Sequence, residues 1–155
     1  MPVDTEEKPY QYSFRIKCTS CQSEHPNEIS FTRFDSIPTT TGKSNVNYIQ
    51  KCRSCQKQLS IDIIKGPQAY MLNDPPTEQP IIKFDTKGCD VLAFVPGKGH
   101  KWQAEGAETG SKFEDIDFGE IEDEGYSEYD ERALEEVGIT EAEFTIVNAK
   151  KFKTF

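Results

Sequence analysis

The sequence contains one short cysteine motif twice. Residues 17–22 read KCTSCQ and residues 51–56 read KCRSCQ. Each copy places cysteines at positions i and i+3, a spacing at which a tight turn directs two sulfur atoms towards one point. Two such turns brought together form a tetrahedron, the geometry that Zn²⁺ takes with sulfur ligands about 2.3 Å away. The motifs therefore predict one metal site, with ligands Cys18, Cys21, Cys52 and Cys55.

Other cofactors and bonds use the same residue type. A redox dithiol needs only one CxxC motif, in a βαβ setting that this sequence does not show. Two structural disulfides would leave Cys89 unpaired and do not suit a reducing compartment. An iron–sulfur cluster or a Cu(I) site takes the same soft ligands, and spacing alone does not exclude either. We favour a single Zn²⁺ ion, and since four protein sulfurs leave no open coordination position, we expect a structural role and no catalysis.

The composition explains why such a site would matter. A chain of 155 residues can bury a core, but only 35% of these residues are apolar. Even with glycine included, that fraction stays below the roughly 45–50% that is usual for globular domains. A structural zinc can contribute on the order of 10–16 kcal/mol of apparent binding energy. Zinc would therefore compensate for a small hydrophobic core.

The sequence contains no signature of secretion or membrane insertion. It has no run of 18 apolar residues, and residues 1–10, MPVDTEEKPY, have neither the basic nor the apolar region of a signal peptide. We therefore expect a cytoplasmic protein, with the nucleus as an additional location and no membrane partner. We also expect a monomer.

Charge is divided unevenly along the chain. Residues 1–65 carry nine basic and seven acidic side chains, whereas residues 66–155 carry nine basic and twenty acidic ones. Within the second part, residues 114–136 contain twelve acids and one base, Arg132. Such a surface repels nucleic acid and anionic membranes. It is either a solvated face that maintains solubility or a docking surface for a basic protein.

Alternating apolar residues predict an all-β fold. Tyr12, Phe14 and Ile16 alternate with polar residues before the first motif, and Leu59 and Ile61 do so after the second. Further strands are predicted around Phe31, Phe34, Val46 and Tyr48, and in residues 81–85, 90–96, 113–118 and 142–148. One short helix is predicted near residues 128–137, with Ser127 as the N-cap and Gly138 just after the last turn.

The predicted elements fall into two similar β subdomains. We expect a zinc-binding β subdomain in residues 1–65, a Pro-rich linker in residues 66–80 and an acidic β subdomain in residues 81–155. Two pairs of segments can be aligned between the halves: residues 14–21 with 82–89, and residues 55–64 with 138–147. The hypothesis is an internal duplication whose second copy has lost three of the four ligands.

Several segments together resemble a known family. They are the two CxxC motifs, IIKFDTKG, WQAEGAETGSKFEDIDFGE, YSEYDERALEEVGI and FTIVNAKK. With these segments the chain resembles, nearly end to end, the eukaryotic DUF866 (UPF0587) family of CXXC motif containing zinc binding proteins. The resemblance implies two similar all-β subdomains, one zinc at the four cysteines and no established enzymatic activity. The family often has cysteine where this chain has Thr86, and Cys89 is a local addition, which argues against a metal role for the second half.

These observations support three classes of function. The favoured hypothesis is a zinc-stabilised module, not an enzyme, that binds another protein through the acidic residues 114–136. The alternative is metal handling, either zinc buffering or thiolate-based delivery. A nucleic-acid-binding zinc ribbon is the least favoured, because residues 1–65 have a net charge of only +2 and Gln22 and Gln56 stand where such ribbons usually have glycine.

Three further side chains are considered as site residues. His25 and His100 are expected at the surface rather than as ligands, because four cysteines already complete a tetrahedral site. Cys89 is either a buried small hydrophobic residue or a reactive thiol beside Lys87, and the sequence leaves both alternatives open.

Overall fold

The fold is built almost entirely from short antiparallel strands. The computed structural model describes residues 1–121, 125–152 and 155. Within them the strands are β1 (Tyr12–Cys18), β2 (Ile29–Phe31), β3 (Ile37–Pro38), β4 (Asn45–Val46), β5 (Tyr48–Lys51), β6 (Gln58–Lys65), β7 (Lys83–Lys87), β8 (Cys89–Phe94), β9 (Trp102–Glu105), β10 (Lys112–Ile116), β11 (Tyr126–Asp130) and β12 (Glu135–Ile139). The helix found among these residues is a single 3₁₀ turn, Ala149–Lys151, which is far too short to span a membrane. The predicted all-β class is confirmed.

Two three-stranded sheets form the centre of the molecule. One has the order β2-β1-β8 and the other β5-β6-β7, and all pairs are antiparallel. The alternating side chains of β1 and β6 point into one core, in which Phe14 and Ile61 are almost completely buried. The Phe14 ring lies 5.2 Å from the ring of Phe84 in the other sheet, between centroids. The two sheets therefore share a single hydrophobic core.

The chain passes from one central sheet to the other at Gly88. β7 pairs with β6, whereas β8 pairs with β1, and Gly88 is the residue between them. Its φ of +76° lies in the left-handed region, and a Cβ atom there would lie 2.6 Å from the carbonyl oxygen of Gln58. Its own carbonyl accepts a hydrogen bond of 3.1 Å from the Thr19 amide. Glycine is required at this corner for both its backbone angle and its lack of a side chain.

The first residues of the chain are tied to the second half. Met1 and Val3 form backbone hydrogen bonds with the chain around Trp102. Asp4 is buried and accepts hydrogen bonds from the Tyr12 hydroxyl at 2.7 Å and from Arg33 at 2.9 Å. These contacts connect β1 to the sheet β10-β9.

The helix predicted near residues 128–137 is wrong. β11 and β12 form an antiparallel hairpin, with Tyr126 opposite Ile139. The Asp130 carboxylate accepts hydrogen bonds from the Arg132 and Ala133 amides and so stabilises the turn. Gly138 allows close strand pairing, since a Cβ atom there would lie 2.3 Å from the Tyr126 carbonyl oxygen. The acids and the glycine that fitted a helix serve a hairpin instead.

The strand predicted in residues 142–148 is also wrong. This segment contains no strand in the structure. Its apolar residues are nevertheless packed, because the Phe144 ring lies 5.1 Å from Phe94 and 5.5 Å from Trp102. The alternation predicted burial correctly, but no strand among the described residues pairs with this segment.

The strand pairing crosses the boundaries predicted from sequence. β7 and β8 follow residues 66–80, yet they pair with β6 and β1, which precede them. The division into residues 1–65 and 81–155 remains a prediction. The duplication is not confirmed, because residues 55–64 contain all but the last residue of the central strand β6, whereas in the aligned residues 138–147 the strand ends at Ile139.

Comparing a Gly88 variant with a control glycine should separate the contribution of the left-handed backbone angle from that of the close approach to Gln58. We expect Gly88→Ala to lower the free energy of unfolding by about 2–5 kcal/mol, because left-handed strain and overpacking add together. Gly42→Ala is the matched control, since Gly42 has a φ of +68° but no atom within 4 Å of the position that a Cβ would occupy. Urea unfolding of both variants at constant free zinc measures the difference. Equal losses would show that the close approach to Gln58 contributes nothing.

Candidate metal centre

The repeated hexapeptide forms the same turn twice. The first turn follows β1, and the second connects β5 to β6. In the first, the Gln22 amide donates to the Cys18 carbonyl at 3.0 Å, and in the second the Gln56 amide donates to the Cys52 carbonyl at 2.8 Å. Each first cysteine also donates its own amide to the carbonyl five residues later, at 2.9 Å and 2.8 Å. Identical backbone bonding explains why the motif recurs.

The glutamine that ends each motif has a structural role. Gln22 has a φ of +60° and Gln56 a φ of +65°, both in the left-handed region. This conformation costs an L-residue roughly 1–2 kcal/mol. Each glutamine side chain donates a hydrogen bond back into its own turn, to the Thr19 carbonyl at 2.7 Å and to the Arg53 carbonyl at 3.3 Å. These bonds offset part of the strain and brace both cysteine turns.

The two turns bring four sulfur atoms together. Cys18 Sγ lies 3.6 Å from Cys55 Sγ, and Cys21 Sγ lies 3.6 Å from Cys52 Sγ. All four ligand atoms lie within 4.8 Å of one another. A disulfide would need about 2.05 Å, so these thiols are not bonded to each other. Sulfurs placed about 2.3 Å from a central ion in a tetrahedron would be about 3.8 Å apart, so the cluster fits Zn²⁺.

The pKa values of the cysteine thiols and the repulsion between their thiolates favour the binding of a cation at the centre of the cluster. Backbone amides, that of Cys21 foremost, lower the pKa of the Cys18 thiol. Ser23, through its hydroxyl and its amide, lowers the pKa of Cys21 to about 6. The Lys57 amide acts in the same direction on Cys55, but burial and the three neighbouring sulfurs outweigh it and raise the pKa of Cys55 to about 11. Four thiolates repel one another, and a divalent ion at their centre removes that repulsion.

The site connects the two central sheets. Cys18 is the last residue of β1, and Cys52 and Cys55 lie between β5 and β6. Cys18 and Cys52 are buried, whereas Cys21 and Cys55 lie nearer the surface. Bound zinc would supply an electrostatic cross-link between four thiolates, with no coordination position left for a substrate. The arrangement can hold the sheets together and offers no Lewis acid.

The other sequence candidates lie outside the cluster. Cys89 is opposite Cys18 in the β1–β8 register and is buried. Its burial makes Cys89 a small core residue. Burial, with the charge of Asp90, also raises the pKa of Cys89 to about 11, so the thiol is a poor nucleophile. His100 packs against the ring of Tyr10 at 5.7 Å between centroids. The Nε2 atom of His25 is buried and has no hydrogen-bond partner among the described residues.

Sequence reasoning missed three residues that support the site. Ser23 lies two positions after Cys21 and interacts with its sulfur, as Lys57 does two positions after Cys55. Gly88 supports the first turn through its bond to Thr19. Ser23 and Lys57 could have been found from the shared register of the two motifs, and a lone glycine between two strand patterns marks a close backbone approach.

Zinc affinity should fall with decreasing pH, and the Cys21 and Cys55 thiols should both contribute to the fall. At pH 7 the Cys21 thiol, with a pKa of about 6, is mainly ionised, whereas Cys55, with a pKa of about 11, is protonated. Zinc binding should therefore release the Cys55 proton. As pH falls through about 6, Cys21 becomes protonated too, so the slope of log affinity against pH should increase by about one. Competition with a chromophoric chelator between pH 5 and 8 measures this slope.

Two variants test the assignment of these protons. Cys55→Ser should bind zinc more weakly and lower the slope by about one, since serine does not ionise in this range. Cys89→Ala should keep the wild-type profile, because Cys89 is not in the four-sulfur cluster. An affinity that does not change with pH would contradict thiolate ligation.

Comparisons with known proteins agree with this site. The profile of the family described as "CXXC motif containing zinc binding protein, eukaryotic" matches residues 1–147. The UPF0587 protein C2D10.03c of Schizosaccharomyces pombe is 33% identical over 144 residues, covering 93% of this chain and 87% of that protein. The CXXC motif containing zinc binding protein of Xenopus laevis is also 33% identical over 144 residues, covering 90% of this chain and 87% of that protein.

Solved structures show the same fold. The crystal structure of C1orf123 superposes with a TM-score of 0.77 at 29% sequence identity and covers 90% of this chain and 84% of that one. A hypothetical protein from Plasmodium falciparum has a TM-score of 0.65 at 17% identity, covering 83% and 80%, and shows the fold alone. The family description names zinc binding and no reaction. With its four-sulfur cluster and a family match over residues 1–147, this chain belongs to the eukaryotic CXXC motif containing zinc binding proteins.

Proposed function

We propose that this protein is a zinc-stabilised adaptor that binds a basic protein through exposed acids of residues 114–136, without catalysis. The observation that carries the proposal is the acidic hairpin β11–β12, in which Glu128, Glu131, Glu135 and Glu136 are exposed. Glu122, Asp123 and Glu124 belong to the same acidic segment but lie outside the described residues.

Acids in this segment have two different roles. Asp117 and Asp130 are buried and accept hydrogen bonds from neighbouring amides or hydroxyls. Burial alone would raise the pKa of Asp117, but bonds from the Gly99 and Gly119 amides and from Lys101 outweigh it and lower that pKa. These two carboxylates stabilise the fold. On the hairpin, Glu128 accepts a hydrogen bond from the Tyr126 hydroxyl and Glu136 accepts one from the Ser127 hydroxyl. Both carboxylates nevertheless remain exposed, as do Glu131 and Glu135, and exposed charge is consistent with a binding role.

The zinc site supports the same proposal indirectly. Four sulfurs saturate the ion, so the metal does not bind a substrate. Its contribution is to hold the two central sheets in place, and the adaptor surface lies elsewhere in the chain. The exposed negative charge disfavours nucleic acid and anionic membranes as partners. We further propose that the protein acts as a monomer in the cytoplasm or nucleus.

Reversing charge on the hairpin tests the adaptor role. We expect a variant with Glu131→Lys, Glu135→Lys and Glu136→Lys to lose partners that co-purify with the wild type, because like charges then face each other. The control reverses three exposed acids elsewhere, Glu6→Lys, Glu7→Lys and Asp74→Lys, and has the same net charge. Quantitative mass spectrometry of proteins bound in the cells of origin measures the loss. The proposal fails if both variants retain the same partners.

A second candidate function is metal handling, and one observation favours it. Cys21 is exposed, so an incoming thiolate can reach one ligand of the site without unfolding the protein. Such access is what transfer by ligand exchange requires.

Exchange kinetics distinguish metal handling from a structural site. If zinc is delivered, isotopically labelled zinc should pass to a competing metal-binding protein while the circular dichroism of this protein stays native. If zinc is structural, its release should follow the unfolding rate across a range of urea concentrations. A Cys21→Ser variant should speed transfer from the native protein in the first case, whereas in the second its zinc release should still match its own unfolding rate.

A further inference from the structure

We propose that Leu134, at the tip of the β11–β12 hairpin, anchors a partner segment that presents an apolar side chain between lysines or arginines. The inference rests on the proposed adaptor function and names the residue and the partner chemistry that would give that surface its affinity. It is carried by three observations on the hairpin: backbone strain, a rigid loop and a charged rim.

Leu134 is strained and gains no packing in return. Its φ is +56°, in the left-handed region that glycine and asparagine tolerate much better than leucine. Its side chain is 75% exposed, one of the largest exposures among the large hydrophobic residues of the structure. A residue that costs backbone energy and buries little within its own chain is a candidate for a functional role. Insertion of the leucine into a partner would supply the missing apolar contact.

The loop holds Leu134 in a fixed position. The buried Asp130 carboxylate accepts hydrogen bonds from the hydroxyls of Thr109 and Ser111, each at 2.7 Å. It also accepts from the Arg132 and Ala133 amides, at 3.0 Å and 3.3 Å. The Leu134 amide donates to the Asp130 carbonyl at 2.8 Å. Because the loop is already ordered, little conformational entropy would be lost when a partner binds.

The surroundings of Leu134 define the charge of the partner. Glu131, Glu135 and Glu136 flank it in the sequence and are exposed. The nearby base, Arg132, donates a hydrogen bond to the Thr109 carbonyl at 3.3 Å, which directs it towards the protein. An apolar tip with an acidic rim complements an apolar side chain that has basic neighbours.

Another exposed leucine provides a contrast. Leu72 is 78% exposed and lies in the loop of residues 66–80. It is not among the described residues with positive φ. The acids of that loop are Asp74 and Glu78, and Glu78 forms an ion pair with Lys151. Leu72 therefore matches Leu134 in exposure but has neither its strain nor its acidic rim.

Two synthetic peptides of equal length and charge test the anchor. One alternates Lys with Leu and the other alternates Lys with Ser, and fluorescence anisotropy measures their binding to the full chain. We expect the wild type to bind the Lys/Leu peptide at least about tenfold more tightly, because a leucine is buried in the contact. Leu134→Asn should abolish this preference and leave the affinity for the Lys/Ser peptide unchanged. Leu72→Asn should retain the preference.

Thermal unfolding provides an independent measurement. Leu134→Asn and Leu134→Gly should both raise the melting temperature, because each relieves left-handed strain at an exposed position. A lower melting temperature in both variants would overturn the strain argument.

The binding results separate the anchor from the adaptor proposal. If Leu134→Asn retains the preference, or Leu72→Asn loses it to the same extent, the anchor is wrong. The triple variant Glu131→Lys, Glu135→Lys and Glu136→Lys should weaken binding of both peptides. If it leaves both affinities unchanged, the acidic surface itself is not the binding site, whatever Leu134 does.

Discussion

The four-sulfur cluster is the constraint on which the rest of the structure depends. Cys18 ends β1 and belongs to one central sheet, whereas Cys52 and Cys55 lie between two strands of the other. Residues so far apart in sequence would lose considerable chain entropy when brought together, and metal binding can supply the free energy to offset it. This explains how a chain with 35% apolar residues can maintain a fold of short strands. Burial of the apolar side chains in the shared core then adds to the stability that metal binding supplies.

The core and the metal site are coupled through one corner of the backbone. The Gly88 carbonyl accepts a hydrogen bond from the first cysteine turn, and Gly88 lies against Gln58, which follows the second turn. The strand pairs on either side of it, Cys18 with Cys89 and Ser60 with Lys87, belong to different sheets. Any movement of one cysteine turn relative to the other would therefore disturb both sheets. Cys89 is buried opposite Cys18 in the β1–β8 pairing and lies outside the four-sulfur cluster, so the fifth cysteine is a core residue.

Local patterns were predictable from sequence, and pairings between distant segments were not. The cysteine spacing predicted the metal cluster because each half of it is a single turn, and alternation predicted β1 and β6 because each has one buried face. The helix predicted near residues 128–137 was wrong because a capping residue, several acids and a following glycine occur both in helices and in hairpins. Here they belong to a hairpin whose turn is closed by Asp130. The strand in residues 142–148 was wrong because apolar alternation reports burial, whereas a strand also needs a partner. The crossover at Gly88 depends on contacts between segments that no short pattern encodes.

The acidic segment contains both buried acids that stabilise the fold and exposed acids to which we assign the proposed binding role. Asp130 is buried, and hydrogen bonds from Ser111 and Thr109 lower its pKa to about 2, so it stays charged at any physiological pH. Because that carboxylate holds the hairpin turn, the exposed glutamates and Leu134 are displayed on a rigid support. The exposed glutamates repel one another, and the buried Asp130 carboxylate keeps them in place by holding the turn that carries them. Two of the sequence segments that carry the family resemblance, one with Thr109 and Ser111 and the other with Asp130, meet at this carboxylate, which makes the turn a second fixed feature of the fold alongside the metal centre.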